Sequence, residues 1–462
     1  MNLYGKIIKT RIGIVSAAAV FLVSFDRLGI ILNFIKVRGT TMKLYLPILV
    51  ISMLGISGEC MSAENTPSAA ASSSFLNPLE SVISSRKTPA RLYKNDSNPW
   101  IQEFNLSLRA QYQCGWVDPH ESLYPGSSGY DDEVRRLRAG WNMTFLHDWK
   151  LVNIWNLGGL DGFGYYSNGY WHHHKSMTGN LYDLHLEYKT RGVKISVGKN
   201  FPAHMMEFRE SSADYLVPEI AVAEESVRGD NSYGLIVSND NRKDPFGWIV
   251  AAWSATLTGE RLAWTNWESA FTQVQLSHEV KLQGMEESRV YLDWLHTFSD
   301  MNDYALNDFH AKYSGTKAQN IFALYYRGKS GPFSIMTEVL WASDPMSRKV
   351  DGEVMCPSDI YGFILTPGWM LTDHIQAIVR YQWAKGKNAL KLNPHYSAMA
   401  RTGGSYVDTY QAISLGFNFY LLPEDPSRFK IMTMAEYAHS GRDTGPAGFS
   451  GWTYIVGAYF NI

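Results

Sequence analysis

From Trp100 onward, apolar and polar residues alternate one by one in a succession of short runs. In the first, Phe104, Leu106, Leu108, Ala110 and Tyr112 interleave with Asn105, Ser107, Arg109, Gln111 and Gln113. In the second, Leu137, Ala139, Trp141, Met143 and Phe145 interleave with Arg136, Arg138, Gly140, Asn142 and Thr144. A period of two places the two sets on opposite faces of a strand. A later run carries Tyr182, Leu184, Leu186 and Tyr188 on one face, with Asp183 and Glu187 on the other. The last residues put Tyr454, Val456, Ala458, Phe460 and Ile462 against Ile455, Gly457, Tyr459 and Asn461. Taken alone, that closing run fits a soluble core strand as well as the end of a membrane barrel.

The repetition decides between them. Sixteen such runs are predicted between Trp100 and Ile462, joined by links that alternate long and short. Short links include 191–192, 239–245, 328–332 and 423–427; long ones include 202–230, 299–318 and 386–406. An even-stranded meander with one-sided long loops, greasy outside and polar inside, is the pattern of a transmembrane antiparallel β-barrel. Trp residues near the predicted strand ends, among them Trp149, Trp253, Trp294, Trp341 and Trp369, suit a membrane–water interface.

The front of the chain differs. From Met42 a basic start, the apolar stretch Leu44 to Ile56 and the small residues around Ser62 and Ala63 have the form of a signal peptide. Residues 42–62 are therefore read as an export signal and 1–41 as an extension from an early start. Residues 63–99, rich in Ser, Ala, Pro and Asn, read as a periplasmic linker, and 100–462 as the barrel domain. The expected destination is the bacterial outer membrane.

Aromatic residues make up 14% of the chain and charged residues 19%, consistent with one large all-β body. Cleavage would remove seven basic and two acidic residues from totals of 42 and 44, leaving a net charge of −7, which disfavours nucleic acid as a partner. Cys114 and Cys356 remain, without metal-binding spacing, and a disulfide between them is left open. No cofactor is expected. The run His172-His173-His174 reads as a solvated loop rather than a metal site.

Alternation also selects the charges that point inward. Arg109, Arg136, Arg138, Lys194 and Arg380 are the candidate pore-lining residues, able to guide anions through bidentate hydrogen bonds, or to pair with inward acids such as Asp183, Glu187 and Glu436. The long loop 202–230 carries Glu207, Arg209, Glu210 and Asp214, and is expected to fold inward as a constriction whose acids face the basic wall. No Gly-x-Ser-x-Gly, His-Glu-x-x-His or phosphate-cradling glycine loop occurs, so no catalysis is expected. The expected function is passive diffusion of small hydrophilic solutes or ions. An outer-membrane barrel hydrolase, and a structural or adhesive barrel, are the alternatives.

Three stretches carry a family resemblance: Arg135-Arg136-Leu137-Arg138-Ala139-Gly140, Val197-Gly198-Lys199-Asn200-Phe201-Pro202, and Leu415-Gly416-Phe417-Asn418-Phe419-Tyr420-Leu421. They resemble the phosphate-selective porin O and P family of outer-membrane channels. The resemblance implies a trimeric, sixteen-stranded, water-filled channel in outer-membrane lipid, with inward-folded loops and an arginine-lined anion path. Of the candidate wall residues, Arg136 and Arg138 lie within a matched stretch, and Lys199 lies in another. The acidic long loop and the acidic mature charge depart from what strict phosphate selection suggests.

Overall fold

A computed structural model describes residues 91–462 except 123–128, 159–163, 168–169, 174–180, 211–213, 230, 240–243, 255–269, 299, 302–315, 351–352, 393–405, 442–448 and 462. The long strands are β1 (Ile101–Ser122), β2 (Gly129–Phe145), β3 (Trp149–Gly158), β4 (Leu181–Thr190), β5 (Val193–Asn200), β6 (Ser232–Ser238), β7 (Phe246–Trp253) and β8 (Phe271–Glu279). They continue with β9 (Glu287–Thr297), β10 (Ala318–Ser330), β11 (Phe333–Pro345), β12 (Ile360–Thr372), β13 (Ile375–Lys391), β14 (Tyr406–Tyr420), β15 (Phe429–Gly441) and β16 (Phe449–Asn461). Each pairs antiparallel with the next, and β16 returns to pair with β1, from Arg109 opposite Asn461 to Ser122 opposite Phe449. The sheet is therefore a closed sixteen-stranded barrel.

A seventeenth strand of the sheet, Arg91–Lys94, lies in the stretch read as linker and pairs with β1 at Glu103, Phe104 and Asn105. Pairing of β1 with β16 begins only at Arg109. The short strand thus covers β1 backbone beside the seam that β16 leaves unpaired, as edge strands require.

Several strands run further than the alternation predicts. β1 continues to Ser122 and β13 to Lys391, where the sequence pattern reads as loop. Ladder hydrogen bonds extend a strand beyond the bilayer, but no lipid there imposes an apolar outer face, so the period of two fades.

The outer surface is apolar in a way that only lipid explains. Leu292, Leu324 and Val339 lie side by side on β9, β10 and β11, and all are exposed. Toward the long-loop end the same strands carry Trp294, Phe322 and Trp341, with Tyr361 on β12 completing the row. Phe322 and Trp341 stack with centroids 5.2 Å apart. Toward the short-turn end, Phe145, Trp149 and Tyr188 form a second row, Trp149 and Tyr188 lying 4.6 Å apart. On β11 Trp341 lies eight steps beyond Phe333, about 26 Å along the strand, which matches an apolar band between two aromatic girdles. No helix among the described residues is long and apolar enough to cross a membrane. Leu324, 52% exposed at mid-strand, should face the acyl chains. Leu324→Arg is expected to lower the unfolding free energy from lipid vesicles by about 2–4 kcal/mol, and an unchanged denaturant midpoint would place that face elsewhere.

One aromatic expectation fails. Trp253 does not join a girdle; it is 1% exposed on the inner face, stacked on Phe271 at 5.8 Å and pressed on Gly234, where a Cβ would come within 2.5 Å of the ring. Nor is the inner face polar throughout. Tyr291, Leu295, Ile321, Ala323, Leu340 and Ile364 point inward and are buried, because part of the chain fills that side of the barrel.

Candidate functional site

The filling segment is the link between β5 and β6. It holds two short helices, α1 (Met206–Arg209) and α2 (Val222–Val227). Met205, Met206, Phe208, Ile220 and Val222 are buried in the same apolar cluster as the inner wall of β7 to β13, and this burial turns the link into the barrel. α2 comes so close to β12 that a Cβ on Gly362 would stand 2.5 Å from the Ala223 Cβ.

Polar side chains of the wall then hold the segment's backbone. Asp293 on β9 accepts the Met205 N–H at 2.6 Å, and Glu338 on β11 accepts the Met206 N–H at 2.6 Å. These bonds hold Met205 in a left-handed conformation, φ 61°, uncommon for a residue with a side chain. Gln382 on β13 accepts the Val222 N–H at 3.0 Å. Within the segment, Glu207 accepts the Ala221 N–H at 2.7 Å, while Glu224 accepts those of Glu207 and Phe208 at 3.2 and 3.3 Å. Each helix thus supplies a carboxylate for the other's backbone.

Arg380 is placed differently from the expectation. It points inward, but at 1% exposure it is sealed beneath the segment and does not line open lumen. Its guanidinium donates to the Glu219 carbonyl at 2.5 Å, to Glu207 at 3.4 Å and to Glu436 on β15 at 3.2 Å. Three acceptors around one planar group suit a buried anchor. Glu207 is likewise enclosed; burial raises its pKa, against the pull of Arg380. Arg209 lies over the Tyr291 ring at 4.9 Å, and Glu210 pairs with Arg327 at 2.7 Å. Of the four loop residues expected to form the constriction, Asp214 alone is exposed.

The other side of the lumen is a basic wall. Arg109 on β1 stands opposite Arg138 on β2, and Gln111 opposite Arg136, all three arginines being half-buried. Like charges directly across a ladder repel. Here each guanidinium is oriented by an amide: Arg109 donates to Asn461 at 2.9 Å, Arg138 to Asn156 at 2.9 Å and Arg136 to Gln111 at 2.7 Å. Tyr182 lies under Arg138 at 3.5 Å and Tyr215 under Arg136 at 5.9 Å.

Two irregularities of the ladder shape this wall. Between β1 and β2 the register slips so that Gln111 meets Arg136 and Tyr112 meets Val134, which leaves Arg135 as an extra residue turned toward the segment, 3.3 Å from Glu219. Between β3 and β4, Trp155 meets Leu181 and Ile154 meets Asp183. That slip brings Tyr182, predicted to face outward, to the side of Arg138.

Lys194 sits at the start of β5, beside the short turn, 3.6 Å from Glu187. Its charge is spent near the rim rather than along the path. Lys199 is buried and donates to the Leu181 carbonyl at 2.7 Å. His185 is held between Asp183 at 2.5 Å on Nδ1 and Glu187 at 3.2 Å on Nε2. His204, in the inward segment, contacts the Pro202 carbonyl at 2.6 Å, and burial lowers its pKa to about 4, which keeps it neutral. A small cleft lies between part of the segment and β11 and β12, lined by Met206, Asp214, Glu219, Met336 and Thr366.

No cluster of three or more His, Cys, Asp and Glu residues able to hold a metal occurs among the described residues. The side chains of His172-His173-His174 lie outside them. No disulfide joins Cys114 to Cys356.

Sequence reasoning missed Asp293, Glu338 and Arg135. Asp293 had a signal, a lone acid between apolar and aromatic neighbours in Leu292-Asp293-Trp294; Glu338, between Thr337 and Val339, had a weaker one. Arg135 had none, because a bulge breaks the alternation that assigns faces.

No protein-family model matches the chain, and no curated protein sequence matches it. Among solved structures, the outer membrane channel DcaP of Acinetobacter baumannii aligns with 80% of this chain and 99% of its own, at 12% identity and a TM-score of 0.46. OmpT, an outer-membrane protein of Vibrio cholerae, aligns with 80% of this chain and 100% of its own, at 10% identity and a TM-score of 0.44. A trimer form of that protein aligns with 78% and 99%, at 10% identity and a TM-score of 0.34.

Proposed function

We propose that the chain is an outer-membrane porin that passes small hydrophilic solutes by diffusion, with a preference for anions. The observation that carries this reading is the division of the lumen. One side is sealed by the inward segment, and the other keeps Arg109, Arg136 and Arg138 half-exposed on adjoining strands. Arginine holds its charge at any ordinary pH and offers a fork that fits carboxylate and phosphate oxygens. Beside it stand the exposed Asp214 and the Arg135–Glu219 pair, so a solute passing the wall meets charges of both signs. Liposome swelling tests the reading. Vesicles holding the folded barrel should admit small neutral and anionic solutes, and vesicles as tight as protein-free ones would refute it.

A further inference from the structure

The inward segment is fixed by carboxyl groups that have no cation of their own. Glu224 on α2 is fully buried against Glu338 on β11, and the two side chains are in hydrogen-bonding contact. Among the described residues neither forms an ion pair, and neither does Asp293, which faces Glu338 from β9. Two carboxylates cannot share such a contact without a proton between them, since two acceptors repel and burial magnifies the repulsion. The oxygens already in use locate that proton. Glu224 accepts the N–H groups of Glu207 and Phe208, and Glu338 accepts the N–H of Met206 through Oε2. Glu338 Oε1 is buried with no other hydrogen-bond partner. A Glu224 carboxyl O–H directed at Glu338 Oε1 completes the set.

We propose that Glu224 and Glu338 form a one-proton latch that docks the inward segment, so that the segment is held most firmly in acid and loosens as the pH rises. The charged groups around the latch support this direction. On α1, Glu207 adds negative charge and Arg209 lies toward Asp293; on β13, Arg380 is committed to Glu207, Glu219 and Glu436, and Lys391 lies 3.8 Å from Glu225 on the far side of α2. β12 presents Gly362 to α2 and adds no charge there. Burial, followed by the Glu338 and Glu207 charges, raises the pKa of Glu224 well above 4.5. A docked segment therefore keeps a proton that a released one loses above about pH 4.5. Docking is complete below that value and weakens by up to about tenfold per pH unit above it, until Glu224 ionises in place.

The test uses the full-length barrel in lipid vesicles. Amide-exchange protection of Met205–Phe208 and Val222–Val227, corrected for intrinsic exchange, is compared at pH 5, 7 and 9. Protection should fall at least tenfold across that range in the wild type. In Glu224→Gln it should be lower but independent of pH, because the amide NH2 donates to Glu338 at any pH while one of the two oxygens that accept the Glu207 and Phe208 N–H groups is lost. Glu338→Gln serves as a second variant and should flatten the profile as well. Equal wild-type protection at pH 5 and 9, or an undiminished fall in both variants, would overturn the latch. The conductance consequence rests on the porin reading: wild-type conductance should rise with pH, and that of Glu224→Gln should not. A barrel silent at every pH with the expected exchange profile refutes the porin reading and leaves the latch standing; an open barrel with a flat profile does the reverse.

Discussion

Replacing Arg380 by methionine is expected to cost about 3–5 kcal/mol of folding free energy, the usual penalty for stripping one partner from a buried ion pair. The loss would not come from the packing, since methionine fills most of the same space. It would come from Glu207 and Glu436, both buried and then facing each other with no cation, and from the Glu219 carbonyl left without its donor. The sign of the pH dependence follows. Once unpaired, both carboxyls favour protonation, so the variant should lose least in acid and most above neutrality. Adding Glu436→Leu to Arg380→Met should recover part of the loss, because a half-removed buried pair is worse than an apolar pair. Denaturant unfolding from vesicles measures both variants. Equal stability of wild type and Arg380→Met would show that Arg380 does not anchor the segment.

Reversing one charge of the basic wall should have the largest effect on permeation. Arg138→Glu puts an acid between Arg109 and Tyr182, on a half-exposed face, and leaves the inward segment untouched. A unit charge about 4 Å from a passing ion contributes from ~1 kcal/mol in water to ~4 kcal/mol near a protein surface. A reversal therefore shifts the anion-to-cation permeability ratio by about tenfold or more, since 1.4 kcal/mol is a factor of ten. The reversal potential in a salt gradient should move toward cations. Lys194→Glu is the contrast: Lys194 sits at the rim beside Glu187, and the shift there should be small. Identical reversal potentials for wild type and Arg138→Glu would take Arg138 out of the path.

Both expectations depend on features that differ in how plainly the sequence shows them. Alternation gave the barrel, because lipid outside and water or protein inside impose a period of two on every crossing. The same rule sent Arg109, Arg136 and Arg138 inward, and it sent Tyr459 inward, where it is buried beside Gln113 and Pro218. Alternation cannot foresee a bulge, so Arg135 and Tyr182 fell on unforeseen faces. It also cannot separate an inward residue that meets water from one that meets another part of the chain. Arg380 and Arg138 have the same signature in their strands, yet one lies beneath the inward segment and the other faces the lumen. That distinction depends on where the segment's apolar residues dock, a contact between positions far apart in sequence. The wall acids Asp293 and Glu338 stand out in their strands as lone acids, but their partners, backbone N–H groups of a distant loop, leave no residue pattern.

Single-channel recording from the purified barrel, inserted in a planar bilayer across a salt gradient, bears most directly on the proposed channel. Stepwise, ohmic openings with a reversal potential on the anion side are predicted; folded, inserted protein that gives no conductance steps would contradict it.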